Sequence, residues 1–404
     1  MKHALSEASL PRGFRFAATA CGLKKTGALD LAIFCSDVPA SAAAVFTQNL
    51  VVAAPVTLSK EHLRASKGRM RGVVVNAGNA NCATGAAGYA AAQSTLALAA
   101  RHLHCLPQQL LVCSTGVIGV PLALDKVLRR LPLLARHRRA SARSFAELSL
   151  AICTTDTRPK TASASFKVAR KRVHLVGCAK GAGMIHPNMA TTLAFVATDA
   201  AIVPGLLQKT LRDVTQRTFN SITIDGDTST NDTLLVLANG AAGAPAIRQD
   251  TAAHRAFSAA LEEVCHSLAL QIVADGEGAQ RVIEILVRGA KTEKAARRIA
   301  QTIATSPLVK TAFAGGDPNW GRIFSAAGRA GVPFDPSRVD ITMAGIRVLR
   351  RGTPLDFNER AASNRLLAAH VPIVVDLHAG RAQARYWTCD FTAEYVRINA
   401  SYRT

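Results

Sequence analysis

Apolar and polar residues alternate along the chain in blocks that predict strands and helices mixed throughout. In the N-terminal part, turn residues separate the short β-rich runs "LDLAIFCSD", "AAVFTQN", "APVTLSK" and "MRGVVVNAGNANCATG". Three consecutive valines before a Gly/Asn-rich stretch predict a buried strand that enters a loop. The following "AAGYAAAQSTLALAARHL" predicts a helix, because alanine and leucine dominate and no helix breaker follows Gly88.

The middle of the chain continues this mixture. The run "QQLLVCSTGVIGVPL" predicts a strand and then a tight Ser-Thr-Gly turn, and "KVLRRLPLLARHRR" predicts a helix interrupted near Pro132. "VHLVGCAKGAG" predicts a strand that enters a glycine loop, and "TLAFVATDAAI" predicts another strand.

The second half repeats the pattern. "LLQKTLRDVTQRTFNSITIDGDTSTNDTLLVLANG" predicts a helix, a strand, an Asp/Thr-rich loop and another apolar segment. "RAFSAALEEVCHSLALQIVADGEGAQRVIEILVRG" predicts a long helix, a turn and a strand, and the C-terminal part is rich in strand patterns. Mixed helices and strands indicate an α/β or α+β fold.

Composition supports a compact soluble α/β protein. The 404 residues are 49% apolar, and aromatic residues contribute 5%. The N-terminus lacks the apolar core of a signal peptide, and glycine and asparagine interrupt the longest uncharged stretch, so we expect no membrane span. The nine cysteines form no C-x-x-C pair, which is typical of reduced thiols in the cytoplasm. His102 and His104 have no supporting cysteine or carboxylate cluster, so we predict no metal site.

The chain carries a formal net charge of +22. Two basic segments, 126–143 and 291–300, contribute much of this charge, and they are interpreted as solvated helix faces. A basic nucleic-acid-binding protein is the alternative, although the sequence contains no RNA-recognition signature, helix-turn-helix spacing or aromatic array.

The stretch "KGAGMIHPNMATTLAFVATD" places a threonine pair between a glycine-rich loop and an apolar run. A threonine hydroxyl is a poor nucleophile unless a base removes its proton. If the chain is cut before Thr191, the new α-amino group, whose ordinary pKa is about 7.7–8.0, can act as that base. Glycines 181 and 183 permit unusual backbone angles, and Pro187 restrains the loop. The pattern alone favours a plainer interpretation, a glycine loop before a strand in which the threonines serve β propensity.

Other hydroxyl-rich segments offer weaker signals. "STGVIG" combines a hydroxyl with a glycine amide, as an oxyanion hole does, but tight turns use the same residues. "DGDTSTND" lacks the length and final glutamate of an EF-hand calcium loop. "GGDPNWGR" is interpreted as a structured turn with Trp320 as an anchor.

Taken together, the motifs closely resemble those of the ornithine acetyltransferases of arginine biosynthesis, the ArgJ family. The similarity extends from "GFRFAATACGLKKTGALDLA" to "YVRINASYRT" through "VVVNAGNANCATG", "STGVIG", "TTDTRPK", "KGAGMIHPNMATTLAF", "DGDTSTND", "ADGEGAQ" and "GGDPNWGR". Family members often have methionine after the nucleophile, where this chain has Thr192.

The resemblance implies a precursor that cuts itself between Ala190 and Thr191. The products would be an α chain, 1–190, and a β chain, 191–404, interlocked in one unit and paired as an α2β2 heterotetramer. The family fold is a mixed α/β arrangement of stacked sheets flanked by helices. No cofactor and no metal are implied.

The implied reaction is a ping-pong transfer of acetyl from N-acetylornithine to glutamate, which releases ornithine and then N-acetylglutamate. Thr191 is the implied nucleophile, and Thr115 and Gly116 form the implied oxyanion hole. The resemblance also implies the substrate-binding residues Thr154, Lys180, Thr191, Glu277, Asn399 and Thr404.

Two features of the reaction stay open at this stage. Some family members also make N-acetylglutamate from acetyl-CoA, although no acetyl-CoA-binding motif is visible in the sequence. An amidohydrolase or aminopeptidase on the same self-cleaving scaffold, with water as acceptor, is the alternative enzyme.

Overall fold

Two β-sheets form the framework, and helices cover them. The computed structural model describes residues 7–186 and 192–401. The larger sheet consists of β1 (Phe14–Thr19), β2 (Leu31–Phe46), β3 (Arg69–Asn79), β4 (Leu110–Val117), β5 (Lys160–Val168), β6 (Lys171–Lys180), β7 (Leu193–Thr198) and β8 (Thr233–Ala238). Its order is β4-β3-β2-β8-β7-β6-β5, with β1 paired to β2. Strands from both described segments therefore share one sheet.

The smaller sheet lies in the C-terminal part. It consists of β9 (Val282–Ala290), β10 (Asp340–Met343), β11 (Ile346–Arg350), β12 (Thr353–Pro354), β13 (His370–Asp376) and β14 (Ala382–Cys389), in the order β12-β11-β10-β13-β9-β14. The helices are α1 (Ala54–Ala65), α2 (Gly85–Leu103), α3 (Leu124–Arg136), α4 (Ala142–Ala151), α5 (Pro204–Arg217), α6 (Ala252–Ala274), α7 (Glu293–Ala304), α8 (Pro307–Ala314), α9 (Trp320–Gly328), α10 (Glu359–Leu366) and α11 (Ala393–Ser401). This layered mixture confirms the predicted α/β class.

The larger sheet is buried on both faces at its centre. On β7, Leu193 and Phe195 pack in a core with phenylalanines of β1 and β2, whereas Ala194 and Val196 pack in the opposite core against α5 and α6. A strand that is covered on both sides is apolar throughout, which explains the continuous run "LAFVA". The start of β7 is therefore held firmly next to the threonine pair.

Several predicted elements differ in the structure. "APVTLSK" begins helix α1 rather than a strand, because Pro55 lies in the first turn of a helix, where its missing N–H costs nothing. The two predicted runs before it form one long strand, β2, with a register shift between Cys35 and Ala40. The strand predicted at "NSITID" is reduced to a short 3-10 turn and one bridge from Ile222 to Trp387.

The basic segments form helices, as predicted. Helix α3 continues through Pro132 rather than breaking there, since Val127, Leu131 and Leu134 are buried along one face and packing holds the helix together. Its arginines face solvent. On α7, Arg297 is partly buried and donates to the carbonyl of Gln216, so it has a structural role.

Two further features concern the cysteines and the lengths of the helices. All nine cysteines are free thiols in the described part of the chain. Across residues 7–186 and 192–401, no helix has both the length and the apolar character required to cross a bilayer.

Candidate active site

A cavity of about 270 Å³ opens where the ends of β4 and β6 meet the start of β7 and helix α11. The described residues that line it are Ala80, Thr115, Gly116, Ile118, Thr154, Thr155, Lys180, Gly183, Met184, Ile185, Thr192, Leu193, Asp225, Asp227, Ser229, Thr230, Asn231, Asp232, Glu277, Tyr395 and Asn399. Segments far apart in sequence therefore converge on one polar chamber.

Most of the site residues implied by the family resemblance surround this cavity. Thr115, Gly116, Thr154, Lys180, Glu277 and Asn399 all line it. Ala190, Thr191 and Thr404 lie outside the described residues. Thr192, the residue after the implied nucleophile, lines the cavity, so the chain reaches this chamber at the expected point.

The Thr115–Gly116 pair ends strand β4. The sequence predicts a tight turn here, but the strand continues to Val117, paired with β3. Gly116 has a φ of +129°, and a Cβ atom there would lie 2.4 Å from the carbonyl carbon of Gly78. The close approach of two strands thus requires glycine, and the pairing fixes the direction of the neighbouring Thr115 side chain.

Lys180 is buried at the end of β6 and donates from Nζ to Thr115 Oγ1 over 3.3 Å. An ammonium group only donates, so the Thr115 hydroxyl accepts here and keeps its own hydrogen for another acceptor. The pair therefore presents a positive charge and a free hydroxyl donor side by side in the cavity.

Glu277 is held in place by hydrogen bonds to two other segments of the cavity wall. Its backbone N–H donates to the carbonyl of Ala182 over 2.8 Å, and its Oε2 accepts from Asn399 Nδ2 over 2.7 Å. A Cβ atom at position 183 would lie 2.5 Å from Glu277 Oε2. Gly183 therefore leaves room for the Glu277 carboxylate in its present position, whereas Gly181 has a φ of +150°.

Asp225 forms hydrogen bonds with two segments that flank the cavity. Its carboxylate accepts from the backbone N–H groups of Met184 (2.6 Å) and Ile185 (2.8 Å), and from the hydroxyl of Tyr395 (3.3 Å). Burial raises the pKa of Asp225, although these backbone donors oppose the rise. These hydrogen bonds hold α11 against the loop that precedes the Ala190–Thr191 junction.

Asn231 holds the end of β4 in place through two hydrogen bonds. Its Nδ2 donates to the carbonyl oxygens of Ala80 (2.6 Å) and Ser114 (2.9 Å). The "DGDTSTND" segment therefore builds one wall of the cavity. The sequence alone assigns this segment no role, and its density of carboxyl and hydroxyl groups is the signal that could have indicated one.

A buried charge cluster ties the loops behind the cavity together. Lys160 Nζ lies 2.6 Å from Asp156 Oδ1 and 2.5 Å from Asp275 Oδ2, and the three side chains are almost fully buried. Asp156 also accepts from the backbone N–H groups of Thr154 (2.9 Å) and Gly181 (2.7 Å). Burial acts to raise the pKa of Asp156, but the nearby lysines and hydrogen bonds together lower it.

We expect Lys160→Met to lower the free energy of unfolding by about 3–5 kcal/mol, because it removes the buried cation that pairs with both Asp156 and Asp275. Urea unfolding monitored by circular dichroism measures this loss. Arg143→Met is the matched control: Arg143 pairs with Glu147 on the surface, with 88% of its side chain exposed, and its loss should cost about 1 kcal/mol or less. Equal losses in the two variants would show that the cluster does not stabilise the fold as a buried unit.

The cavity is unevenly charged. Among the described lining residues, four have carboxyl side chains (Asp225, Asp227, Asp232 and Glu277) and one, Lys180, has an amine. In residues 7–186 and 192–401, no three His, Cys, Asp or Glu side chains converge in a metal-binding arrangement. The chamber suits a polar ligand that carries a positive charge as well as a group for Lys180 to bind.

Comparisons with known proteins agree along the whole chain. A sequence profile of the ArgJ family matches residues 15–404. The arginine biosynthesis bifunctional protein ArgJ of Symbiobacterium thermophilum is 47% identical over 396 residues, which cover 98% of both chains. The Thermus thermophilus protein of the same name is 48% identical over 395 residues, covering 98% of this chain and 99% of that one.

A solved structure gives a similar result for part of the chain. The crystal structure of arginine biosynthesis bifunctional protein ArgJ from Bacillus halodurans is 44% identical, with a TM-score of 0.51. It covers 52% of this chain and 98% of its own. The matched solved chain thus corresponds to about half of the polypeptide described above.

Proposed function

The chain belongs to the ArgJ family, the bifunctional enzymes of arginine biosynthesis, and on this premise we propose that it cuts itself between Ala190 and Thr191 and then transfers acetyl groups from N-acetylornithine to glutamate. The observation that carries this proposal is the shared cavity. It brings together six of the residues that the family resemblance implies, next to Thr192. Similarity over the full chain favours this enzyme over a nucleic-acid-binding protein.

Two observations support the proposed cleavage. β6 pairs with β7 and β2 pairs with β8, so parts 1–190 and 191–404 would stay joined by a continuous sheet after the cut. In addition, the solved Bacillus halodurans chain matches just over half of this chain, and the part 191–404 also makes up just over half. These parts would be the α and β chains of one interlocked unit.

In the proposed reaction, the Thr191 hydroxyl attacks the acetyl carbonyl of N-acetylornithine while the α-amine of Thr191 takes the proton. Ornithine leaves, and the amine of glutamate attacks the acetyl-threonine ester to give N-acetylglutamate. Each half-reaction passes through a tetrahedral oxyanion. The free hydroxyl hydrogen of Thr115 and the backbone N–H of Gly116 are the proposed donors to it.

The charge distribution of the cavity fits these substrates. Lys180 is suited to a substrate carboxylate, and the carboxylate of Glu277 is suited to the distal ammonium of ornithine. Thr154 and Asn399 complete the described part of the pocket, and Thr404 would join them from the C-terminus. We further propose an α2β2 assembly and, as the second activity of a bifunctional enzyme, acetyl transfer from acetyl-CoA to glutamate as an amino-acid N-acetyltransferase.

We expect Glu277→Gln to lower kcat/KM for N-acetylornithine by about ten- to a hundredfold, the cost of losing one hydrogen bond between charged groups. The rate of glutamate acetylation from the preformed acetyl-enzyme should change less, since glutamate has no distal ammonium. Glu262→Gln, whose carboxylate pairs with Arg217 on the surface, is the control. Equal losses in both half-reactions would mean that Glu277 supports the pocket rather than contacting the ornithine side chain.

Ornithine release with and without glutamate tests the proposed activity. A transferase holds the acetyl group until its acceptor arrives, so with N-acetylornithine alone release should slow after one turnover. Added glutamate should restore fast release, and double-reciprocal plots should be parallel. Rapid release with free acetate and no glutamate would support the amidohydrolase alternative and contradict the proposal.

A further inference from the structure

One carboxyl group that lines the cavity, that of Asp232, has no role in the acetyl transfer proposed above. Asp232 lies directly before β8 and is only 2% exposed, yet it lines the cavity. In the described part of the chain, its Oδ2 is a buried oxygen without a hydrogen-bond partner. Leaving a buried polar atom without a hydrogen bond costs about 1–3 kcal/mol. A functional role would explain why the chain has a carboxyl group at this position.

Strand register brings Asp232 close to the proposed cleavage junction. β7 and β8 are parallel neighbours in which Leu193 is paired with Thr233. The Thr233 N–H also donates to the carbonyl of Thr192 over 2.9 Å. Asp232 therefore lies beside Thr192, one residue after the junction, at the edge of the cavity.

The surroundings of Asp232 favour its protonated form. Burial raises its pKa well above the ordinary value, and the Ser229 hydroxyl and the charge of Lys180 only partly oppose this effect. A charged carboxylate with an unpaired oxygen in such a site would be costly, whereas a neutral acid is tolerated. As a neutral acid, Asp232 can give a proton from one oxygen while its other oxygen accepts one.

Self-cleavage requires such a group. In the uncut precursor, the nitrogen of Thr191 belongs to an amide, so the α-amine that acts as base in the mature enzyme does not yet exist. The other described ionisable groups of the cavity are engaged or exposed. Lys180 contacts Thr115, and Glu277 binds Asn399. Asp225 accepts four hydrogen bonds, one of them from the Tyr395 hydroxyl, and Asp227 is exposed.

We propose that the Asp232 carboxyl is the proton shuttle of self-cleavage, an inference that rests on the proposed function. The Thr191 hydroxyl oxygen bonds to the carbonyl carbon of Ala190, and its proton passes to the unprotonated oxygen of the neutral carboxyl group as the other oxygen releases the proton that it carries. The same group gives a proton to the Thr191 nitrogen as the bond between that nitrogen and the Ala190 carbon breaks. An amide thereby isomerises to an ester with no oxidant or co-reactant. Water then hydrolyses the ester to the carboxylate of Ala190 and the free hydroxyl of Thr191.

Pulse-labelled synthesis in a cell-free system, followed by a chase on denaturing gels, measures the cleavage rate. Asp232→Asn keeps the shape of the side chain but removes the acid. It should slow cleavage by about 10²–10⁴-fold, the usual contribution of general acid–base catalysis, with little change in Tm. Asp199→Asn is the matched control: it alters a buried aspartate at the far end of β7, which accepts from His174 N, and it should lower Tm without slowing cleavage comparably.

A second variant tests whether a carboxyl group accelerates self-cleavage, independently of how much of the variant folds. Asp232→Ala removes the carboxyl group and leaves space next to the cavity, so added formate should accelerate cleavage of this variant in a saturable way and leave Asp232→Asn unchanged. Cleavage of Asp232→Asn within a few-fold of the wild-type rate, no response to formate, or an equal slowing by Asp199→Asn would each overturn the inference. An uncut but active wild-type protein would instead refute the proposed function itself.

Discussion

Replacing Thr191 with alanine is expected to leave a single uncut chain and to lower acetyl transfer by about 10⁶-fold, the order seen when a nucleophile is removed from a hydrolytic site. Alanine has no hydroxyl to begin the acyl shift, and an uncut chain has no α-amine to act as base. Denaturing gels and an assay for N-acetylglutamate measure the two effects.

Two variants at the threonine pair sharpen this experiment. Thr191→Ser keeps a hydroxyl and should still be cut, so it separates loss of the nucleophile from disturbance of the loop. Thr192→Ala should also be cut before position 191, although Thr192 carries a second hydroxyl at the cavity. If Thr192→Ala stays whole and Thr191→Ala is cut, the nucleophile has been assigned to the wrong threonine.

Replacing Thr115 with alanine should lower kcat by roughly ten- to a thousandfold, the cost of removing one oxyanion donor. KM should change less, because the donor acts on charge that develops in the transition state. Steady-state kinetics with N-acetylornithine and glutamate separate the two parameters.

Thr115→Ser is the control for this prediction, since it keeps the hydroxyl that Lys180 contacts. It should retain most of the wild-type kcat. A sharp rise in KM with an unchanged kcat in Thr115→Ala would show that Thr115 binds substrate and that its proposed role in the oxyanion hole is wrong.

The mixture of helices and strands could be predicted from the sequence because it depends on local patterns. The alanine-rich stretch is helix α2, and the continuous run "LAFVA" is the interior strand β7. The predicted elements were wrong where packing between segments distant in sequence determines the local structure. Pro132 lies inside α3 because the buried face of the helix holds it, and the Ser-Thr-Gly segment stays extended because β3 pairs with it.

At the candidate site, too, the features that depend on local motifs could be predicted, whereas the contacts between distant segments could not. Similar motifs identified the family, and six residues chosen on that basis line one cavity. The cluster of Asp156, Lys160 and Asp275 could not be predicted, because it joins positions more than a hundred residues apart. The unpaired oxygen of Asp232 likewise depends on the register of β7 and β8, which no local pattern encodes.

The mass of each chain after incubation with N-acetylornithine tests the central claim most directly. Without glutamate, the account predicts two chains. The second should begin Thr-Thr-Leu-Ala-Phe and carry one acetyl group on Thr191, and this group should disappear when glutamate is added and N-acetylglutamate forms. A single uncut chain in active protein, or turnover in which the second chain never carries an acetyl group, would contradict the account.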